Sequence, residues 1–221
     1  MRGVYPPMGS CKSDLKTALG FLTVVDHAQH GLFGGYLLLN KAGRPLEFHC
    51  TAPVKPNRAQ QILYGPTLEA FLYGEQIAKT LLEHAKTEPL VVCTDREPVL
   101  AVREMISLPV VLVLPSDDTA AGSEAGSSES AGHAHNMGDS LSPKGVLPSG
   151  QRLLRLDAAH KNGPRLLTFQ LGRNRLAVAE RSAEDRPAVT QRLADLLPSF
   201  DLSEPFGRIR EAIEEAQQAA R

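Results

Sequence analysis

The chain has 221 residues, 42% hydrophobic and 22% charged, a composition that fits one or two folded domains and excludes a fibrous or wholly disordered chain. Its 24 Lys and Arg against 25 Asp and Glu leave a formal charge of −1, so overall charge argues for neither nucleic acid nor a membrane surface. No apolar run approaches the ~18 residues of a membrane span.

The opening MRGVYPPMGSCKSDLK has two prolines and mixed charge where an export signal needs an apolar core. A cytoplasmic location without a membrane partner is expected, with residues 1–16 as a flexible arm. The cysteines, Cys11, Cys50 and Cys93, form no Cys-x-x-Cys pattern and suit a reducing compartment. Cys50 and Cys93 are expected to be buried as small apolar residues.

From Phe21 the patterns sharpen. FLTVVD predicts a strand, HAQHGLFG a loop, GYLLLN a second strand, KAGR a tight turn and PLEFHC a third strand. Pro53 and Pro56 stop the pairing. Asn57 is placed to cap a helix over RAQQILY. Leu68, Phe71, Leu72, Ala78, Leu82 and Ala85 recur at helical spacing across Thr67–Lys86. LVVCT is a buried strand, followed by a helix over roughly Pro98–Ile106. PVVLVL is a continuously apolar strand, as in a sheet covered on both faces.

Residues 116–148 read as a disordered acidic linker or inserted loop. The Ser-, Gly- and Ala-rich part to Ser142 has five acids and no lysine or arginine, with too little apolar surface to offset ordering entropy. Residues 149–221 form an α+β segment. Its strands are RLLRLD, RLLTFQLG and RLAVAERS, the last two joined by a GRN hairpin turn. Helices over roughly Pro187–Leu197 and Glu204–Ala219 close it.

The stretches TVVDHAQHGLFGGYLLL, PNRAQQ and VVCTDREPV together resemble the ribonuclease H-like superfamily. They match its strand ending in Asp, its Gly-Gly opening of the second strand, its Asn-Arg helix start and its Thr-Asp after the fourth strand. The resemblance spans roughly residues 20–114. It implies an α/β fold over residues 17–115, with a mixed five-stranded sheet flanked by helices. The first and fourth strands would lie parallel and adjacent, with Asp26 and Asp95 at their carboxyl ends. Open α/β sheets bind ligands there.

Two carboxylates so placed need a proton or a cation between them. The resemblance therefore implies a metal-dependent nucleic-acid phosphodiesterase using Mg2+ or Mn2+, with Asp26, Asp95 and Glu75 as ligands. Gln60 stands where the family has its helix carboxylate, and an amide is a poorer ligand for a hard cation. Glu75 is the substitute, since it falls on the apolar stripe of its helix, where an acid is costly. Asp117 and Asp157 are both open as a fourth ligand.

Each site residue also has a plainer reading. Asp95 can cap the helix that follows, Asp26 can begin a polar loop, and Glu75 can pair with a basic side chain. His27 and His30 form an Asp-His-x-x-His cluster in a loop, where exposed histidines are ordinary. Arg152, Arg155, Arg165, Arg173 and Arg175 line the C-terminal strand segments and offer a phosphate-contacting face or a solvated one. The alternative function is a non-catalytic ribonuclease H-like, or profilin- or roadblock-like, module that contacts a protein or a nucleic acid.

Overall fold

The computed structural model describes residues 17–115, 165–194 and 200–219, all within one compact unit. The expected N-terminal arm and acidic linker lie outside the described residues, as do RLLRLD, Arg152, Arg155 and Asp157.

β1 (Leu19–His27), β2 (Gly31–Leu39) and β3 (Pro45–Cys50) form an antiparallel meander. Gly43, at φ 73°, closes the β2–β3 turn, and the Asn40 carboxamide accepts from the Ala42 and Arg44 N–H groups. α1 (Arg58–Tyr64) starts at the expected Asn57 cap. Gln60 completes a capping box: its N–H donates to Asn57 Oδ1 at 2.8 Å, and its side-chain oxygen accepts from the Asn57 N–H at 3.0 Å. Helix initiation thus accounts for the Asn-Arg-Ala-Gln motif.

The long predicted helix exists, but not as a uniform α-helix. α2 (Leu68–Ala70), a π-helical segment (Phe71–Ala78) and α3 (Lys79–His84) follow one another with helical dihedrals. Hydrogen bonding from i to i+5 changes which residues share a face. Leu72, Gly74, Ile77, Ala78 and Leu81 become the buried set, while Glu75 is exposed. Its expected place on the apolar stripe assumed a 3.6-residue turn that the segment does not have.

β4 (Val92–Thr94) and β5 (Val110–Leu114) flank a 3-10 helical segment (Glu97–Glu104), which stands where an α-helix was expected. β6 (Leu166–Leu171) and β7 (Asn174–Ala179) form the predicted hairpin, with Gly172 in its turn at φ 59°. α4 (Asp185–Leu193) and α5 (Glu204–Ala219) complete the described residues.

The sheet order is β3-β2-β1-β4-β5-β7-β6. β1, β4 and β5 are parallel neighbours, and Phe21 pairs with Cys93 and Cys93 with Val111. The adjacency expected of β1 and β4 is present. The sheet has seven strands rather than five, because β7 pairs antiparallel with β5 and carries β6 with it. One face packs on the helices between Leu68 and His84 through Leu22, Val24, Leu72, Ile77 and Leu81. The other packs on α4 and α5 through Phe21, Leu37, Cys93, Val189, Phe206 and Ile209.

Cys93 is buried as expected, and burial pushes its thiol up to about 12. Cys50 is exposed, because β3 is the sheet's end strand and Cys50 projects from its uncovered side.

Tyr36 is fully buried, and its hydroxyl finds no hydrogen-bond partner among the described residues. Burial, reinforced by the Glu47 carboxylate, drives its pKa up. Tyr36→Phe keeps the ring packing and removes the stranded hydroxyl. It is expected to raise stability by about 1 kcal/mol, read as a higher urea midpoint at unchanged slope; a lower midpoint would show that the hydroxyl is satisfied in solution.

Candidate functional site

The carboxyl ends of β1, β4 and β5 lie together, and Asp95 follows β4 directly. Thr23 Oγ1 donates to Asp95 Oδ1 at 2.6 Å, and the Arg210 guanidinium of α5 donates to Asp95 Oδ2. Both carboxylate oxygens are engaged. Asp95 does not cap the 3-10 segment: the cap position is Arg96, which makes no side-chain capping bond. The Asp95 carboxylate instead turns to the α5 side of the sheet.

Asp26 faces the other way. Along β1, Leu22 and Val24 belong to the core beneath the helices of residues 68–84, and Asp26 is two residues further on the same face. It is exposed, and its charge reaches Tyr73 on that side. Burial raises the Tyr73 pKa, the Arg96 guanidinium opposes the rise, and Asp26 and Glu69 add to it. Strand adjacency therefore brings Asp26 and Asp95 to one end of the sheet, while the pleat sends them to opposite faces. Glu75 is exposed on its π-helical segment. Among the described residues, no three His, Cys, Asp or Glu side chains cluster as metal ligands.

These residues do not fit the Mg2+ or Mn2+ centre that the resemblance implies. A cation at Asp95 would have to displace a guanidinium and a hydroxyl from a carboxylate with 16% side-chain exposure. Breaking such a pair leaves one charge poorly solvated.

A cleft of about 330 Å³ opens beside the pair, lined by Asp95, Arg96, Ser203, Phe206 and Arg210 against the end of β5. α5 is fixed over it by apolar contacts. Phe206 meets the Phe21 ring edge-on at 5.7 Å, and Gly35 lets Ile209 and Ile213 approach the sheet. Asn174 holds the preceding loop, donating to Phe200 O and accepting from the Leu202 N–H. Hydrogen bonds from Ser203 hold the Asp201 carboxyl below its ordinary value, with Arg173 adding to the effect.

The expected arginine face divides. Arg165 lies at the amino end of β6, 4.0 Å from Glu180 and largely solvent-exposed. Arg173 and Arg175 lie at the hairpin turn and the start of β7, where Arg175 is the register partner of Leu114 at the carboxyl end of β5. They share that end of the sheet with Arg96 and Arg210. His27 and His30 are ring neighbours at 4.6 Å, away from any third ligand among the described residues.

Sequence reading missed Thr23, Arg96 and Arg210. Arg210 carried a signal: it falls one turn after Phe206 and beside Ile209, where a charge borders the buried stripe of a helix. No family model matches the chain, and no curated protein matches it significantly. Among the described residues no helix is long and apolar enough to cross a membrane.

Proposed function

We propose that this chain is a non-catalytic module of ribonuclease H-like topology that contacts a nucleic-acid backbone at the carboxyl end of its sheet. The observation that carries this reading is the Asp95–Arg210 pair, in which a guanidinium stands where a catalytic centre would need a cation. The parallel β1–β4 adjacency supports the topology. Arg96, Arg173 and Arg175 supply cationic side chains at the same end, against the Asp201 carboxylate beside Arg173 and the exposed Asp26, while Arg210 is paired with Asp95. Few aromatic side chains accompany them, which favours backbone contact over base stacking.

The test is a fluorescence-anisotropy titration with a short duplex across a salt series. The wild type is expected to bind at low salt and weaken steeply as salt rises. Arg96→Ala and Arg173→Ala are each expected to weaken binding on all sequences alike and to lower the salt slope by about 1. Absence of binding at low salt would overturn the proposed partner. Manganese-dependent cleavage of the duplex, lost in Asp95→Asn, would overturn the non-catalytic reading and restore the phosphodiesterase.

A further inference from the structure

Asp95 occupies only one corner of the Arg210 guanidinium. Nη2 donates to Asp95 Oδ2, while Nε and Nη1 have no partner among the described residues. A guanidinium holds its N–H donors in a planar fork, so most of this one stays open. The Arg210 side chain is 39% exposed, against 16% for Asp95. The carboxylate is itself held from the sheet, because the buried Thr23 donates from Oγ1 to Asp95 Oδ1 at 2.6 Å. The backbone that carries Arg210 is fixed by Phe206, Ile209 and Ile213, the buried side of α5.

Arg210 lines the cleft beside that pair. The ionisable residues of the lining are Asp95, Arg96 and Arg210, one acid against two bases, which leaves one positive charge in surplus. The acids around the start of α5 have partners of their own: Asp201 is held by Ser203 and faces Arg173, and Glu204 pairs with Arg208. The Ser203 hydroxyl is already committed to Asp201 Oδ1 at 2.6 Å, so the arginines are the free side-chain donors of the lining. Val113, Leu114 and Phe206 add an apolar wall. One surplus positive charge against an apolar wall suits a monoanion that carries carbon on both sides. A phosphodiester has that form, whereas a terminal phosphate brings about two charges at neutral pH. At about 330 Å³ the cleft is at the low end for small-ligand pockets, so it admits one such group and not a length of chain.

We propose that this cleft seats a single phosphodiester group, with the free donors of Arg210 on its anionic oxygens and the apolar wall beside its ester carbons. Arg210 is then a bridge, one corner on Asp95 and the rest of the fork on the ligand. Arginine suits this position because its planar fork serves two oxyanions at once, where a lysine ammonium acts as a point charge. A nucleic-acid backbone as the source of the group rests on the proposed function; the seat itself rests on Arg210 and the cleft.

Two probes of the full chain test the seat and the source separately. Diethyl phosphate, a dialkyl monoanion, is titrated by NMR and is expected to give a saturable shift of the Arg210 Nε–H signal. A short duplex is titrated by fluorescence anisotropy at low salt. The double variant Asp95→Asn with Arg210→Gln keeps the surplus of one positive charge and removes the fork, and its duplex affinity is expected to fall about tenfold. Arg210→Lys keeps a cation for Asp95 and is expected to show the same loss with wild-type circular dichroism, so a poorly folded double variant does not decide the outcome. Wild-type duplex affinity in either variant overturns the seat and leaves the nucleic-acid reading standing, with Arg210 only neutralising Asp95. No saturable shift at Arg210 overturns the seat whatever the duplex does. A wild type that takes up diethyl phosphate at Arg210 and binds no duplex keeps the seat and overturns the nucleic-acid reading.

Discussion

Arg103→Met is expected to destabilise the protein by about 3 kcal/mol, the lower end of the range for stranding one partner of a buried ion pair. Arg103 Nε donates to Asp185 Oδ2 at 2.6 Å and Nη2 to Asp185 Oδ1 at 3.0 Å, while Nη1 reaches Ile106 O at 2.9 Å. The Asp185 side chain is only 6% exposed, against 23% for Arg103. The arginine variant therefore leaves the more deeply buried charge without its counter-ion. That pair fastens α4, at the end of the β6–β7 hairpin, to the 3-10 segment between β4 and β5. Urea unfolding at neutral pH measures the deficit. A deficit below about 1 kcal/mol would mean that the pair behaves like an ordinary exposed salt bridge.

Gly34→Ala and Gly35→Ala should each cost about 3 kcal/mol, the upper part of the range for overpacking a core. These adjacent residues of β2 face opposite sides of the sheet. A Cβ on Gly34 would lie 2.1 Å from Ile77 Cγ2, and one on Gly35 2.3 Å from Ile209 Cγ2. Neither position leaves ordinary van der Waals distance, so the isoleucine side chain facing each glycine, or the helix that carries it, must shift. The Gly-Gly pair thus lets helices on both sides approach one strand closely. Combining Gly34→Ala with Ile77→Ala should cost less than the sum of the two single changes, because the new methyl occupies space that the isoleucine vacates. Thermal unfolding of the cycle measures this, and strict additivity would mean that the helix shifts without resisting.

The elements legible in the sequence were those with short-range signatures. Turn chemistry marked the β2–β3 and β6–β7 hairpins and Asn57 marked the start of α1, but Gly31–Gly34, expected as part of a loop, belong to β2, and the Gln60 half of the capping box was not read. The joining of β7 to β5 was not legible, because it depends on pairing across a separation of some sixty residues that no local pattern encodes. The π-helical segment shifted the Thr67–Lys86 stripe in the same way, since its i+5 bonds are set by packing against β2 and the 3-10 segment.

The site was half legible. Adjacency of the strands carrying Asp26 and Asp95 followed from element order. Their separation onto opposite faces depended on the β1–β4 register, which pairs Leu22 with Thr94. A one-residue difference in such a register exchanges the faces. Arg210 lies 115 residues from Asp95 in the chain, and only the packing of α5 brings the two together.

Thermal unfolding with and without millimolar manganese tests most directly whether Arg210 has taken the place of a cation at Asp95. The wild-type melting temperature should not move, and Asp95→Asn should lower it modestly and equally in both conditions by removing the Arg210 pair. A metal bound at a hundredfold excess over its Kd would instead add about 2.7 kcal/mol. A manganese-dependent rise in the wild type that both Asp95→Asn and Asp26→Asn abolish would contradict the ion-pair account and place a metal centre at the carboxyl end of the sheet.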